Sequence, residues 1–399
     1  MFANFFLHTW YGALILMIIC SYIIARACDV FEASTDYIGR NLSEGVKGAS
    51  LNAVGSSMPE LLTTVFFLVF ALHENLGRDF AASIGGDTGS AIFNSIIIPM
   101  LVIWVVLASG ITGIKITKKV ILRDGLFLIG AEILLLVLLS SSYITHWHGW
   151  IFTIFYLIYL SYTLISMKTN KNDEDDENEE EEDEEQNSWY EKYQFKSETG
   201  CTGRSWIMLI FSILVIAAAC AGLVEGCKGI ADAMKINPLF IALILVAAAS
   251  SVPDTIISIK DAKKGNYDDA LSNVLGSNIF DITISMGLPL AVFLAITSQK
   301  IDFRNAGPTF IDIRIMLLII TIITMGIYYF SKEMKKKHAV ALGVLYGMFI
   351  LYAIGAANYL DGSNSFLAQL SGSFIDFLRQ PGGIAEMLQN IANSITGGW

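Results

Sequence analysis

Charge is scarce in this sequence. Only 16% of its 399 residues are Asp, Glu, Lys or Arg, where a soluble domain carries about a quarter. The five cysteines (20, 28, 201, 220 and 227) form no CxxC pair and no Cys/His group at zinc spacing, so neither a disulfide frame nor a structural metal is expected. There is no Gly-x-x-x-x-Gly-Lys-Ser/Thr phosphate loop and no stretch large enough to hold nucleotide, which argues against an ATP-driven pump. The first apolar stretch, Tyr11 to Ala27, has no basic region before it and no small-residue cleavage site after it. It reads as a membrane-spanning helix and not as a signal peptide.

What fills the space is apolar: 54% of residues, in roughly ten segments long enough to cross a bilayer. They lie near 10–27, 44–72, 80–109, 120–141, 149–167, 206–226, 237–259, 269–297, 310–330 and 339–357. The formal charge of −11 is misleading, because Asp173 to Glu185 holds 12 acids in 13 positions. The remaining 25 acids (37 less 12) face 26 Lys and Arg. An acidic soluble enzyme and a basic nucleic-acid binder are both excluded, and no nucleic-acid partner is expected. The acidic run belongs to a solvated linker; calcium sensing there would need an ordered oxygen cage that a bare run does not supply.

The expected organisation is a first five-helix membrane half at 1–167 (repeat core 43–109), an acidic cytoplasmic linker at 168–205, a second half at 206–357 (repeat core 237–297) and a polar, amphipathic tail at 358–399. With the N-terminus outside, 19 Lys and Arg fall on inside loops and 6 on outside loops, which places the linker in the cytoplasm and both termini outside. In the tail, Phe366, Leu370, Phe374, Phe377 and Leu378 recur at helical spacing. They suggest one or two helices on the membrane surface or on a protein partner, against a frayed end.

Two short patterns occur twice. Ala53-Val-Gly-Ser-Ser-Met-Pro-Glu60 is matched by Ala247-Ala-Ala-Ser-Ser-Val-Pro-Asp254, and Gly89-Ser-Ala-Ile-Phe-Asn94 by Gly276-Ser-Asn-Ile-Phe-Asp281. The copies lie five spans apart, and five is odd, so the second is threaded upside down. The fold class is therefore an all-α polytopic membrane protein of two inverted five-helix repeats. Inverted repeats with interrupted helices point to alternating access around a site between them. Pro59 and Pro253 break their helices, and the carbonyls so freed need partners. Glu60 and Asp254 follow the prolines near mid-membrane, where an acid is costly and faces a partner or an ion path. Ser56, Ser57, Ser250 and Ser251 lie within a turn of them, and Asn94 and Asp281 add oxygens from the next helices. An all-oxygen set with two or three negative charges suits Ca²⁺ or Na⁺ and not zinc or copper. Taken singly, each motif could be an ordinary packing kink; four in register are not.

These residues resemble the cation/calcium exchanger superfamily, and most closely its potassium-dependent sodium/calcium exchanger branch. The resemblance rests on Ser43-Glu-Gly-Val-Lys-Gly-Ala through Glu60, on Gly89 to Asn94, and on Ser251-Val-Pro-Asp254 through Ala262-Lys-Lys-Gly to Gly276-Ser-Asn-Ile-Phe-Asp-Ile-Thr283. It covers a quarter to a third of the chain. It implies that Glu60 and Asp254 are the central Ca²⁺ ligands and also serve Na⁺, and that Ser57, Ser251, Ser90 and Ser277 serve flanking Na⁺ positions. Ser56 and Ser250, with the carbonyls of Ala53 and Ala247, would complete the cage, and Asn94 and Asp281 would be the paired position on the third and eighth helices. In that branch the acid at the position of Asp281 is tied to K⁺ use, yet potassium-independent relatives also have one. The implied activity is antiport of Ca²⁺ against Na⁺ in a cell membrane, without cofactor and without enzymatic chemistry, with the lipid bilayer and the two ions as partners.

Two departures stand out. Ala249 replaces the usual Gly of the second repeat. Asp87, in Gly85-Gly-Asp-Thr-Gly-Ser90, is unusual there and shares a helix face with Ser90 and Asn94. Asp87 is either a further acid at the site, changing the number or kind of coupled ions (a proton included), or an acid in a water-filled vestibule or an ion pair. K⁺ dependence of the Na⁺-coupled exchange is left open, and two rivals remain: an H⁺-coupled antiporter of Ca²⁺ or another divalent ion, and a transport-dead accessory subunit that binds a partner through its tail. Glu132 and Glu225 are expected to be buried hydrogen-bonding groups, Lys47 to snorkel to the interface, and His146 and His148 to be exposed in a loop.

Overall fold

The computed structural model describes residues 9–38, 53–70, 76–170, 202–303 and 310–396. Its first-half elements are α1 Trp10–Ile38, α2 Ala53–Ser56, α3 Met58–Phe70, α4 Leu76–Ala108, α5 Lys118–Leu138, β1 Tyr143–Ile144 and α6 His146–Asn170. The second half has α7 Thr202–Met234, α8 Pro238–Ser250, α9 Val252–Lys263, α10 Tyr267–Thr297, β2 Ile301–Asp302, α11 Ile311–Phe330 and α12 Lys336–Leu360. Two further helices follow, α13 Phe366–Arg379 and α14 Ile384–Thr396.

Seven of these helices are long and apolar enough to cross a membrane, and α8 with α9 makes an eighth, bent by 42° at its break. The α2–α3 pair is the first-repeat counterpart of that bent span. α5 is long enough at 21 residues but carries Arg123, Asp124 and Glu132. The chain is thus an all-helical, multi-pass membrane protein with two inverted repeats of five spans.

Sheet and bridge contacts show the threading. β1 pairs antiparallel with β2, so the α5–α6 and α10–α11 connections share one face. Ile114 bridges to Met334, which puts the α4–α5 and α11–α12 connections on the other. The first face also receives α14, whose Thr396 and Asn393 bond to Ser141 and Ser142 at 2.9 and 3.0 Å. We call it the terminal face, and the opposite one, where α6 ends and α7 begins, the linker face.

Sidedness is inverted relative to a soluble protein. Ile18, Tyr22, Leu157, Ile158, Phe211 and Leu214 are exposed on outer helix surfaces, while Glu60, Asp87, Asp254 and Asp281 are buried, as expected where lipid is the solvent. Trp10 and Trp147 near one face and Trp104 and Trp206 near the other are also exposed, in the manner of aromatic belts.

α1 and α7 pack on one another through Gly222 and Gly226, where an added Cβ would come within 2.6 Å of Cys20 Sγ and Met17 Cγ. Small residues permit such approach where apolar burial cannot drive association. This pair forms its own apolar cluster against α3, α4 and α8, separate from the larger core of the other spans.

Several elements differ from the sequence expectation. α1 continues eleven residues past its apolar run, because Asp29 at the linker face meets Arg26 at 3.6 Å and Lys260 at 3.7 Å. His148 is not exposed: it is 1% accessible, and its Nδ1 lies 3.1 Å from the Thr145 N–H. The tail is two helices, not a frayed end. α13 is capped by the Ser365 hydroxyl, which accepts from Ala368 N at 3.2 Å, and Gly372 lets it approach the Tyr359 ring of α12. Arg379 reaches Asp312 of α11 at 3.9 Å. Lys47, Cys201 and the acidic run lie outside the described residues.

Candidate functional site

The broken spans place the two Pro-acid motifs at the centre. α2 ends at Ser56 and α8 at Ser250; Ser57 and Ser251 are the break residues; Pro59 and Pro253 open the new helices. A proline costs little in a first turn, where its missing N–H would have no helical partner. Glu60 and Asp254 therefore lie in the first turns of α3 and α9, where a negative charge is favoured by the helix dipole. The carbonyl ends of α2 and α8 converge on the same region, a favourable setting for a cation.

α4 and α10 bring the remaining oxygens. Glu60, Asp254 and Asp281 are all buried, and each offers an oxygen within 4.8 Å of the others. That span suits one cation, since oxygens on opposite sides of a Ca²⁺ are about 5 Å apart. Ser90 Oγ lies at the middle, 3.3 Å from Glu60 Oε1, 3.0 Å from Asp281 Oδ2 and 2.9 Å from Ser251 Oγ. Ser277 donates to Asp254 Oδ1 at 2.8 Å and lies 3.4 Å from Ser56 Oγ. Asn94 Nδ2 donates to Asp254 Oδ2 at 3.1 Å. The serines cross the repeats: Ser90 meets Ser251, and Ser56 meets Ser277.

Four oxygens in this cluster stay unsatisfied: Ser57 Oγ, Glu60 Oε2, Asn94 Oδ1 and Asp281 Oδ1 are buried without a hydrogen-bond partner. No Lys or Arg pairs with the three carboxylates among the described residues. Buried polar atoms are rarely left unmatched, and an intramembrane acid costs roughly 3 kcal/mol even on the lenient insertion scale. Chemically, the cluster has the negative charge and the free oxygens to hold a cation.

The structure thus brings together Ser56, Ser90, Ser250, Ser251, Ser277, Asn94, Glu60, Asp254 and Asp281. The carbonyl of Ala247 accepts from Ser251 N at 3.1 Å and Ser250 Oγ at 3.4 Å. Ala53 lies in the first turn of α2. Ala249, where a glycine was expected, has its carbonyl bonded by Ser21 Oγ of α1 at 3.1 Å. Asp87 stands beside the cluster, bonded to Thr64 Oγ1 at 3.2 Å. Glu132 lies elsewhere, buried between α5 and α11, and accepts from Thr321 at 2.6 Å.

Access is unequal. A narrow crevice lined by Asp29, Glu32, Gly55, Ser56 and Pro253 among others approaches the cluster from the linker side. Toward the terminal face, Lys228 of α7 is paired with Asp79 of α4 at 2.6 Å, both largely buried.

Residues 12–165 and 204–355 match the family described as "Sodium/calcium exchanger protein". The chain belongs to this family. Among its curated members, the sodium/potassium/calcium exchanger Nckx30C of Drosophila melanogaster is 32% identical over 146 residues, 37% of this chain and 16% of that protein. The human sodium/potassium/calcium exchanger 3 is 31% identical over 152 residues, 37% of this chain and 24% of that one. The aligned stretch is thus a quarter or less of those relatives. Among solved structures, an H⁺/Ca²⁺ exchanger CAX shares the fold with TM-score 0.65 at 15% identity, covering 96% of this chain and 92% of that one. The sodium-calcium exchanger NCX_Mj gives 0.51 at 24% identity, covering 86% and 97%.

Within this exchanger-family fold, sequence reasoning missed three features. Two π-helical turns, Ala242–Val246 and Asp281–Ser285, lie in α8 and α10, the second beginning at a site carboxylate; such turns often mark functional positions. Asn278 spans from α10 to α4, donating to Ala91 O at 3.1 Å and Ser95 Oγ at 2.7 Å. Thr64 and Ser83 hold Asp87. Only Thr64, one turn from Glu60, gave any signal.

Proposed function

We propose that the protein is a secondary active antiporter that exchanges Na⁺ for Ca²⁺ across a cell membrane by alternating access, without enzymatic chemistry. The observation that carries this reading is the buried Glu60–Asp254–Asp281 group with its unmatched oxygens and, among the described residues, no basic partner. Family membership and the names of the curated relatives support it.

Glu60 and Asp254 are the central ligands, shared between one Ca²⁺ and the Na⁺ ions that displace it. Asp281 and Asn94 complete the central set. Ser57, Ser90, Ser251 and Ser277, with Ser56, Ser250 and the carbonyls of Ala53 and Ala247, supply neutral oxygens around it, which suit Na⁺ better than a proton. Loaded carboxylates are neutral enough to let access switch, while bare ones oppose it, because naked charge in a dry gate is costly. The α1–α7 pair, with its separate apolar cluster, is the element that slides. The linker is cytoplasmic and the termini outside, from the Lys/Arg bias; the crevice then opens inward.

The test is ⁴⁵Ca²⁺ uptake into proteoliposomes loaded with Na⁺, with Na⁺, K⁺ and pH gradients imposed separately and Glu60→Gln alongside. The reading expects uptake that requires internal Na⁺ and is lost in the variant. Uptake driven by a pH gradient alone would replace Na⁺ by H⁺. Absence of uptake under every gradient would leave an accessory subunit with an exchanger fold.

A further inference from the structure

Buried acids of the spanning helices divide by their partners. Asp79 has Lys228 at 2.6 Å, Asp124 has Arg123 at 2.7 Å, and Asp312 has Arg379 at 3.9 Å. Asp87 is as buried as these, at 2% exposure, but what meets it is a hydroxyl. Thr64 Oγ1 donates to its Oδ2 at 3.2 Å, and Ser83 donates to Thr64 Oγ1 at 2.9 Å. Hydroxyls orient a carboxylate without neutralising it, so its charge stays unmatched in a membrane interior.

The position of Asp87 is set by helix register. Along α4, Asp79, Ser83, Asp87, Ser90 and Asn94 recur at steps of four, four, three and four, a single stripe on one face. On α3, Glu60 and Thr64 are one turn apart. The contacts Ser90–Glu60 and Thr64–Asp87 are therefore successive rungs of one α3–α4 seam, about 5.4 Å apart. α3 runs toward the terminal face and α4 away from it, so Asp87 lies on the terminal side of the central acids, below the Lys228–Asp79 pair. Glu60 Oε2, on the same seam, is buried without a hydrogen-bond partner.

We propose that Asp87, Thr64 and Ser83 form an accessory monovalent-cation subsite between the Lys228–Asp79 pair and the central carboxylates, filled by Na⁺ or K⁺ during the exchange cycle. One carboxylate and two hydroxyls balance one positive charge. A divalent ion there would leave an excess positive charge in the membrane interior. The subsite rests on the exchanger reading above. It adds that the cation load is one larger than the central group requires, and that the extra ion exchanges with the terminal face.

The experiment uses the full chain in proteoliposomes. Exchange of ⁴⁵Ca²⁺ for unlabelled Ca²⁺ in the unmodified protein needs the central acids and no counter-ion, so its absence would sink the exchanger reading and be recognised as such. The subsite is read from reversal potentials under Na⁺ and K⁺ gradients, which report ions per Ca²⁺ independently of turnover rate. Asp87→Asn is expected to lower that number by about one, and to lower ²²Na⁺ or ⁸⁶Rb⁺ bound per chain by about one. Thr64→Val keeps the carboxylate and is expected to raise half-saturating Na⁺ or K⁺ about tenfold from the terminal face alone; it carries the test if Asp87→Asn does not assemble. Unchanged stoichiometry and unchanged half-saturation would overturn the subsite. Loss of a coupled proton in place of Na⁺ or K⁺ would overturn it as well.

Discussion

The α3–α4 seam and its inverted counterpart between α9 and α10 agree at the centre and part company one turn away. At the centre, Ser90 bonds Glu60 at 3.3 Å and Ser277 bonds Asp254 at 2.8 Å. One turn outward the first seam has Thr64 on Asp87, with Ser83 behind. Motif alignment sets Ser258, Val274 and Ala270 at the matching places of the second seam, and there Ser258 meets Asn273 at 3.1 Å with no acid. The duplication has kept its twofold chemistry where the two halves meet at the central carboxylates and lost it along the approaches. The routes to the two faces are therefore chemically different, and the direction-dependence of exchange is expected to follow that difference.

The sharpest break of the comparison is at the centre, where the halves should fail alike. Glu60→Gln and Asp254→Asn are each expected to lower ⁴⁵Ca²⁺ transport by about 100-fold or more, as removing one member of a buried charged set costs 3–5 kcal/mol. A variant of either that kept wild-type rates would remove that residue from the central group.

Packing around the two glycine-serine motifs should fail unequally. A Cβ on Gly89 would come within 2.0 Å of the Leu243 carbonyl oxygen and 2.8 Å of Ala247 Cβ, whereas one on Gly276 meets only Tyr159 Oη at 3.7 Å. Gly89→Ala should therefore force α4 and α8 apart and destabilise by about 1–3 kcal/mol. Gly276→Ala should be neutral to stabilising, because only an ordinary contact opposes a helix-propensity gain of up to about 1 kcal/mol. Thermal unfolding in detergent, followed by circular dichroism, compares them directly; equal shifts would contradict the asymmetry in close approach.

Much of the site is legible in the sequence. The Pro-acid and Gly-Ser motifs announced the broken helices, the inversion and the three carboxylates, because an acid after a proline inside an apolar run has few structural uses. The shared face of Asp87, Ser90 and Asn94 followed from spacing alone. What held Asp87 did not, since Thr64 and Ser83 are unremarkable in apolar helices and their role depends on which helix lies opposite. The π turns leave no mark in the sequence. His148 was misjudged because it lies in the first turn of α6 and not in the loop, where its Nδ1 accepts from Thr145 N. The tail's amphipathic spacing was visible, but not that α12, α11 and α5 would take up its inner face.

The smallest effect expected sharpens the comparison at the approaches. Ser258→Ala, on the seam without an acid, should change half-saturating Na⁺ by less than about fivefold from either face, since a hydroxyl bonded only to a neutral amide contributes about 1 kcal/mol or less. An effect as large and as sided as that of Thr64→Val would mean that the two approaches are equivalent after all.

The central claim is that Ca²⁺ and Na⁺ compete for one buried oxygen cage. Equilibrium binding of ⁴⁵Ca²⁺ to the purified chain across a range of Na⁺ concentrations tests it most directly. The account predicts Ca²⁺ binding that is displaced competitively by Na⁺ and lost in Glu60→Gln. Binding indifferent to Na⁺, or persisting in Glu60→Gln, would contradict it.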